Sequence, residues 1–192
     1  MLDSDGEMRA AGPQECPAEA PADRKDEQMS EATATETTSG APLVLHGLAG
    51  LQERLGTDLG VSGWRTVTQD DINTFAKLTG DEQWIHVDPE RAKTGMYGTT
   101  VQHGFLTLGL ATGFLWEVCT IDGFGTVLNY GLNKVRFPAG LKVNSRIRMH
   151  VHLAEVKDLD GKGAEAVYRL TYEVEGETKP CCVADLVFRY YD

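Results

Sequence analysis

Apolar side chains are almost missing from the start of this 192-residue chain: between residues 1 and 40, Leu2 is the only Leu, Ile, Val, Phe, Trp or Tyr. Such a segment cannot bury enough surface to offset its ordering entropy, which predicts a disordered tail over 1–40 ahead of a single domain over 41–192. Basic charge is scarce there as well. Ten acidic residues face three basic ones (Arg9, Arg24, Lys25), so the stretch carries 3 − 10 = −7 of the net −11. Residues 41–192 hold the remaining −4, since −11 + 7 = −4. A chain with so little positive charge lacks the basic surface on which phosphate-backbone binding depends, so no nucleic-acid partner is expected.

Other absences narrow the field further. Cys16, Cys119, Cys181 and Cys182 have no framework spacing, and two are adjacent, which reads as reduced thiols in a cytoplasmic protein. No apolar h-region follows a basic N-terminus, and an acidic start is unlike a transit peptide. The apolar run from 104 to 118 falls short of the roughly 20 residues that span a bilayer, so no membrane role is expected. Neither G-x-G-x-x-G nor a P-loop occurs, which argues against a nucleotide cofactor. None of the five serines stands in G-x-S-x-G, which disfavours a serine hydrolase. A metal site would need His86 with His103, or His150 with His152, plus carboxylates; the latter pair shares a strand face with arginines, whose charge repels a cation, and no metal is expected.

What remains is an α+β pattern. The leucines from Leu43 to Leu59 suggest a short helix ending near Gly56, and Ser62 to Val67 a first strand. Thr68 is placed to cap a helix whose first turn holds Asp70 and Asp71, whose apolar stripe is Ile72, Phe75, Ala76 and Leu78, and which Gly80 stops. Asp88 and Pro89 open a brief helical turn. From Gly104 to Val118 the chain is apolar on nearly every face, as in a helix enclosed by its surroundings. Gly109 and Gly113 share one side of it and suggest close approach to another backbone. Strands follow: 128–137, then 144–156 with Ile147, Met149, Val151 and Leu153 on one face, then 166–174 after an Asp160-Gly161 turn, then 183–190. One long helix followed by an antiparallel sheet is the fold class predicted.

The chemistry concentrates between residues 80 and 104. Asp81 and His86 lie five apart after a helix, and His103-Gly104 opens the apolar helix. A neutral imidazole takes a proton near pH 7, a carboxylate fixes its tautomer or shares that proton, and helix N–H groups hold charge developing on an oxygen. The spacing alone is common, and Asp81 after Gly80 also reads as a turn residue.

Several linked motifs go further. Phe75-x-x-Leu78-Thr79-Gly80-Asp81-x4-His86-x5-Ala92, then Val101-Gln102-His103-Gly104-Phe105, then Asn133-Lys134-Val135-Arg136-Phe137-Pro138 together resemble the MaoC-like hydratase family, over roughly residues 64–190. The family core reads Gly-Asp-x-Asn-Pro-Leu-His; here Gln83-Trp84-Ile85 replaces Asn-Pro-Leu, as in the nodulation-protein-N-like actinobacterial branch. The resemblance implies a hotdog fold, a curled antiparallel sheet around a long helix. It implies an (R)-specific enoyl-CoA hydratase, which needs no cofactor. The alternatives are a (3R)-hydroxyacyl dehydratase working on acyl carrier protein and a non-catalytic acyl-thioester-binding subunit. It makes Asp81 and His86 the catalytic pair, and the Gly104 N–H the donor to the thioester oxygen, aided by the dipole of the long helix. Thr112 falls where some relatives carry a hydroxyl, while also suiting a bond to its own backbone. Trp84 either lines the acyl pocket or packs under its loop. His103 reads as a helix-entry residue rather than a second base, and Lys134 and Arg136 either meet carrier phosphates or are solvated. An open sheet edge predicts a homodimer.

Overall fold

The computed structural model describes residues 40–192, so the tail expected over 1–40 lies, apart from Gly40, outside the described residues. Its frame is a six-stranded antiparallel sheet built from β2 (Asp58–Val61), β3 (Arg65–Thr66), β5 (Thr126–Arg136), β6 (Arg146–Asp158), β7 (Gly163–Val174) and β8 (Cys182–Tyr191). The strands run in the order β2-β6-β7-β8-β5, with β3 also pairing β6. A separate parallel pair joins β1 (Leu43–His46) to β4 (Cys119–Asp122), with Leu43 opposite Cys119.

Period-two patterning decides which face of the sheet is buried. On β6, Ile147, Met149, Val151 and Leu153 are all buried, while the intervening Arg148 and His150 pair with Glu173, and His152 pairs with Asp58. On β7 the matching set is Ala166, Tyr168, Leu170 and Tyr172. The helices α5 (Gly104–Gly109) and α6 (Ala111–Val118) contribute Leu108, Ala111, Phe114, Leu115 and Val118 to the same core. Phe114 meets Tyr172 edge to face at 6.1 Å, an aromatic arrangement that adds to simple burial.

The helix α2 (Gln69–Thr79) begins and ends as its residues dictate. Thr68 accepts from the Asp71 N–H while Asp71 accepts from the Thr68 N–H, a capping box, and Gly80 closes the helix in the left-handed region at φ 75°. Asp88 caps α4 (Pro89–Ala92) by accepting from the Arg91 N–H.

Four expectations need correction. Leu43–His46 is a strand, and the first helix, α1, spans only Gly47–Glu53, because the leucines before Gly47 pair with β4. Of the strand expected over 62–67 only the two residues of β3 are extended in the sheet, and β2 lies before that range. The apolar helix is interrupted at Leu110, where a tight turn separates α5 from α6, so the dipole at Gly104 is that of six residues. Gly109 and Gly113 do not mark a close backbone approach. A Cβ on Gly109 meets nothing within 4 Å, and one on Gly113 meets only the Arg65 guanidinium at 3.9 Å.

Phe114 is fully buried at the contact between helix and sheet. Phe114→Ala is expected to lower the unfolding free energy by about 3–5 kcal/mol in urea titration. A loss below about 1 kcal/mol would show that α6 is not part of the core.

Candidate active site

Chain reversal at Gly80 places Asp81 in an exposed link directly after α2. His86 then sits on α3 (Trp84–Val87), a single helical turn. That turn is tied down through its two middle residues. The Gln69 amide donates to the His86 carbonyl at 2.8 Å and accepts from the Thr100 hydroxyl at 2.6 Å. The Val101 N–H donates to the Ile85 carbonyl at 2.9 Å.

His86 is 7% exposed and its Nδ1 lies 2.6 Å from the Val101 carbonyl oxygen. A carbonyl only accepts, so the Nδ1–H must donate, which leaves Nε2 as the basic atom. Burial pushes the His86 pKa below its ordinary 6.5, and neighbouring His103 lowers it too, while the Val101 bond and Asp81 pull it back up. A neutral imidazole with one free lone pair is the form able to take a proton.

His103 does more than open a helix. It is buried between Phe75, whose ring centroid is 5.0 Å away, and His86, on which it stacks at 3.7 Å. Its Nε2–H donates to the Asp81 carbonyl at 2.9 Å, and the same nitrogen is 4.0 Å from the Asp81 carboxylate. Asp81, His86 and His103 each bring one ligand-type atom within 4.8 Å of the others. That set resembles a metal site by composition, but its geometry suits a proton site. A shared ion must lie near both ring planes at about 2.0–2.1 Å from each nitrogen. Planes 23° apart and stacked at 3.7 Å do not meet at that range.

A cavity of about 170 Å³ opens beside His86, lined also by Gly104, Thr107, Gln102, Tyr97 and Phe137. Gly104 begins α5, so its N–H has no acceptor within the helix. A Cβ there would lie 2.9 Å from the Phe137 ring, so only glycine fits.

Three candidates are not on this wall: Asp81, which stays within reach of His86 and His103, and two that lie elsewhere. Trp84 is absent from the cavity wall: its ring lies under the Arg91 guanidinium at 4.6 Å, and a Cβ on Gly95 would meet it at 3.0 Å. Thr112 on α6 does not line the cavity either; the buried hydroxyl that does belongs to Thr107, one turn into α5. Lys134 and Arg136 lie on β5, where Arg136 donates to the Val135 carbonyl. Sequence reasoning missed Gln69, Thr100, the Val101 carbonyl and Gln102. The nearest signal was the Gln-His pair before Gly104.

In an NMR titration, the His86 ring is expected to protonate below pH 6.5, and lower still in Asp81→Asn, which removes a charge that favours the imidazolium. The folded pKa being depressed, stability contributed by neutral His86 is present above pH 6.5 and is lost as pH falls through the folded value. A midpoint above 6.5, or an upward shift in Asp81→Asn, would contradict this electrostatic reading.

The geometry can now be set beside known proteins. Residues 51–175 match the family described as MaoC like domain. The 3-hydroxyacyl-thioester dehydratase Z of Mycobacterium tuberculosis is 48% identical over 143 residues, which is 74% of this chain and 95% of that protein. Nodulation protein N of Rhizobium leguminosarum bv. viciae is 39% identical, over 73% of this chain and 88% of that protein. Among solved structures, R-hydratase PhaJ1 from Pseudomonas aeruginosa aligns with TM-score 0.59 and 18% identity, covering 76% of this chain and 86% of that one. The monoamine oxidase regulatory protein from Archaeoglobus aligns with TM-score 0.64 and 24% identity, over 79% and 97%. The structural likenesses establish the hotdog fold. With Asp81, His86 and Gly104 at one end of its apolar helix, the chain belongs to the MaoC-like family.

Proposed function

We propose that the protein is a hydro-lyase that adds water to trans-2-enoyl thioesters, as an (R)-specific enoyl-CoA hydratase, and catalyses the reverse dehydration. The observation that carries this reading is the meeting of an exposed carboxylate, Asp81, with a buried imidazole kept in one tautomer, His86, within 4.8 Å of each other. Groups that far apart both reach one water at about 2.8 Å from each. His86 Nε2 takes a proton from that water as its oxygen bonds to Cβ. The electron pair of the double bond moves to the thioester oxygen, where the Gly104 N–H stabilises the enolate. The proton taken up by His86 is then delivered to Cα, which completes the addition and returns the imidazole to its neutral form. Dehydration runs through the same groups in the opposite order, which accords with the name of the 48%-identical relative. No cofactor enters this scheme.

Two further points belong to the reading. The strand β5 ends the sheet with Val127, Leu128, Tyr130 and Leu132 between 41 and 56% exposed, an apolar edge that a second copy would cover. A homodimer is therefore proposed, and a monomeric mass by light scattering at micromolar concentration would overturn it. Among the described residues no helix is long and apolar enough to cross a membrane, and Cys119, Cys181 and Cys182 are unpaired thiols, which accords with a cytoplasmic setting.

The test follows loss of the ultraviolet absorbance of the conjugated thioester with crotonyl-CoA. Asp81→Asn and His86→Ala are each expected to lower kcat/KM by about 10²-fold or more. Equal rates in all three proteins would move the chemistry elsewhere. Binding of the thioester without turnover in the wild type would make the chain an acyl-thioester-binding subunit.

A further inference from the structure

Asp81 is the less constrained half of the pair. Its side chain is 58% exposed, and among the described residues its carboxylate makes no hydrogen bond. The Gly80 reversal sets where the chain leaves α2, and one side chain then holds the residue that follows. His103 Nε2–H donates to the Asp81 carbonyl at 2.9 Å, and the same nitrogen lies 4.0 Å from the carboxylate. The ring is wedged between Phe75 of α2, at 5.0 Å, and His86 of α3, on which it stacks at 3.7 Å. Its peptide continues into Gly104, so one residue touches or adjoins every group that the proposed reaction uses.

A histidine is a costly filler for this wedge. The Asp81 carbonyl only accepts, so Nε2 carries the proton, and Nδ1 is left buried without a hydrogen-bond partner. An unpaired buried polar atom costs stability, and this one is out of reach of a substrate proton. A phenylalanine would fill the same space with no such atom. What the imidazole adds over an apolar ring is the single N–H that reaches Asp81.

We infer that His103 is a positioning residue: it holds Asp81 through its carbonyl and backs the His86 ring, so that carboxylate and imidazole meet at one water. The inference rests on the hydratase reading for the reaction and on these contacts for the placement. An exposed carboxylate on an untethered link samples many positions, and a misplacement of about 1 Å is enough to cost about 10²-fold in rate.

Two substitutions separate the bond from the packing. His103→Phe keeps the flat ring and removes the N–H, whereas His103→Gln keeps an N–H at similar reach and removes the ring. With crotonyl-CoA, His103→Phe is expected to lose about tenfold or more in kcat/KM, mostly in kcat, without a lower Tm. His103→Gln is expected to keep a higher rate than His103→Phe. In an Asp81→Ala background, His103→Phe is expected to change kcat/KM by less than about twofold, since no carboxylate remains to be placed. A fall in Tm that accompanies the rate loss, equal losses in the two backgrounds, or a glutamine variant slower than the phenylalanine one would make His103 part of the scaffold and overturn the inference. Titration of His86 by NMR reads the same placement without turnover. Asp81 raises the His86 pKa, so Asp81→Ala is expected to lower it in the wild type but not in His103→Phe. Tyr97 and Cys181, which share the cavity with His86, and residue 103 itself are unchanged within each pair, so their effects cancel. An equal drop in both backgrounds overturns the inference. A drop confined to the wild-type background, in a protein that turns over no thioester, keeps the placement of Asp81 by His103 and removes the hydratase reading.

Discussion

One hydrogen bond sets the chemistry of the site, that from His86 Nδ1 to the Val101 carbonyl at 2.6 Å. It decides where the imidazole proton resides, and so which nitrogen is left to act as a base. Its strength as a constraint comes from the acceptor's own anchorage. Val101 donates to Ile85 in the turn that carries His86, and it bridges Lys142 on the far side. The base and the group that orients it are therefore held by one small loop-to-loop ladder. Gln69, the first residue of α2, ties the same ladder to the helix that delivers Asp81. A backbone carbonyl orients the ring without adding a second negative charge beside it.

Burial and charge are divided unequally among the three polar residues. His86 and His103 are 7 and 3% exposed, whereas the Asp81 side chain is 58% exposed. Desolvation lowers the His86 pKa and the Asp81 charge raises it, so the imidazole stays neutral at neutral pH while retaining a partner for its protonated form. Stacking against His103 adds a penalty on charging both rings together. The same stacking makes the trio a poor ion cage, since rings lying face to face send their lone pairs alongside one another. A family resemblance at Asp81 and His86 gives no hint of this third member. Its role comes from Phe75 and α2 as much as from its own position.

How much was legible in the sequence depended on whether a feature is written in side chains. Alternation on β6, the Thr68 cap, the Gly80 stop and the Asp88-Pro89 turn are local patterns, and each is where its residues placed it. Pairing of β1 with β4 joins residues 76 apart, and nothing near Leu43 announces it. The break at Leu110 follows Gly109, a residue that weakens a helix, while Leu110 itself stays in the helical region. Within the site, Asp81, His86 and Gly104 could be named from linked motifs. The Val101 carbonyl could not, since every residue carries one. Thr112 and Thr107 are both plausible hydroxyls on one apolar run, and only the course of that run decides which meets the cavity.

The dimensions of the chamber follow from two pairings of an aromatic ring with a glycine. Phe137 lies where a Cβ on Gly104 would be, at 2.9 Å, and Tyr97 lies where a Cβ on Gly140 would be, at 2.7 Å. In each pair the missing side chain lets a flat ring close directly on backbone. Gly104 is then required twice over, because the contact that seats Phe137 also leaves the Gly104 N–H bare at the start of α5. Phe137 is itself 40% exposed and meets the 70%-exposed Phe105 edge to face at 6.0 Å, so this wall faces solvent with only an exposed ring behind it. The rigid part of the chamber is thus the floor, where Val101, Gln102 and Leu141 are fixed by backbone hydrogen bonds.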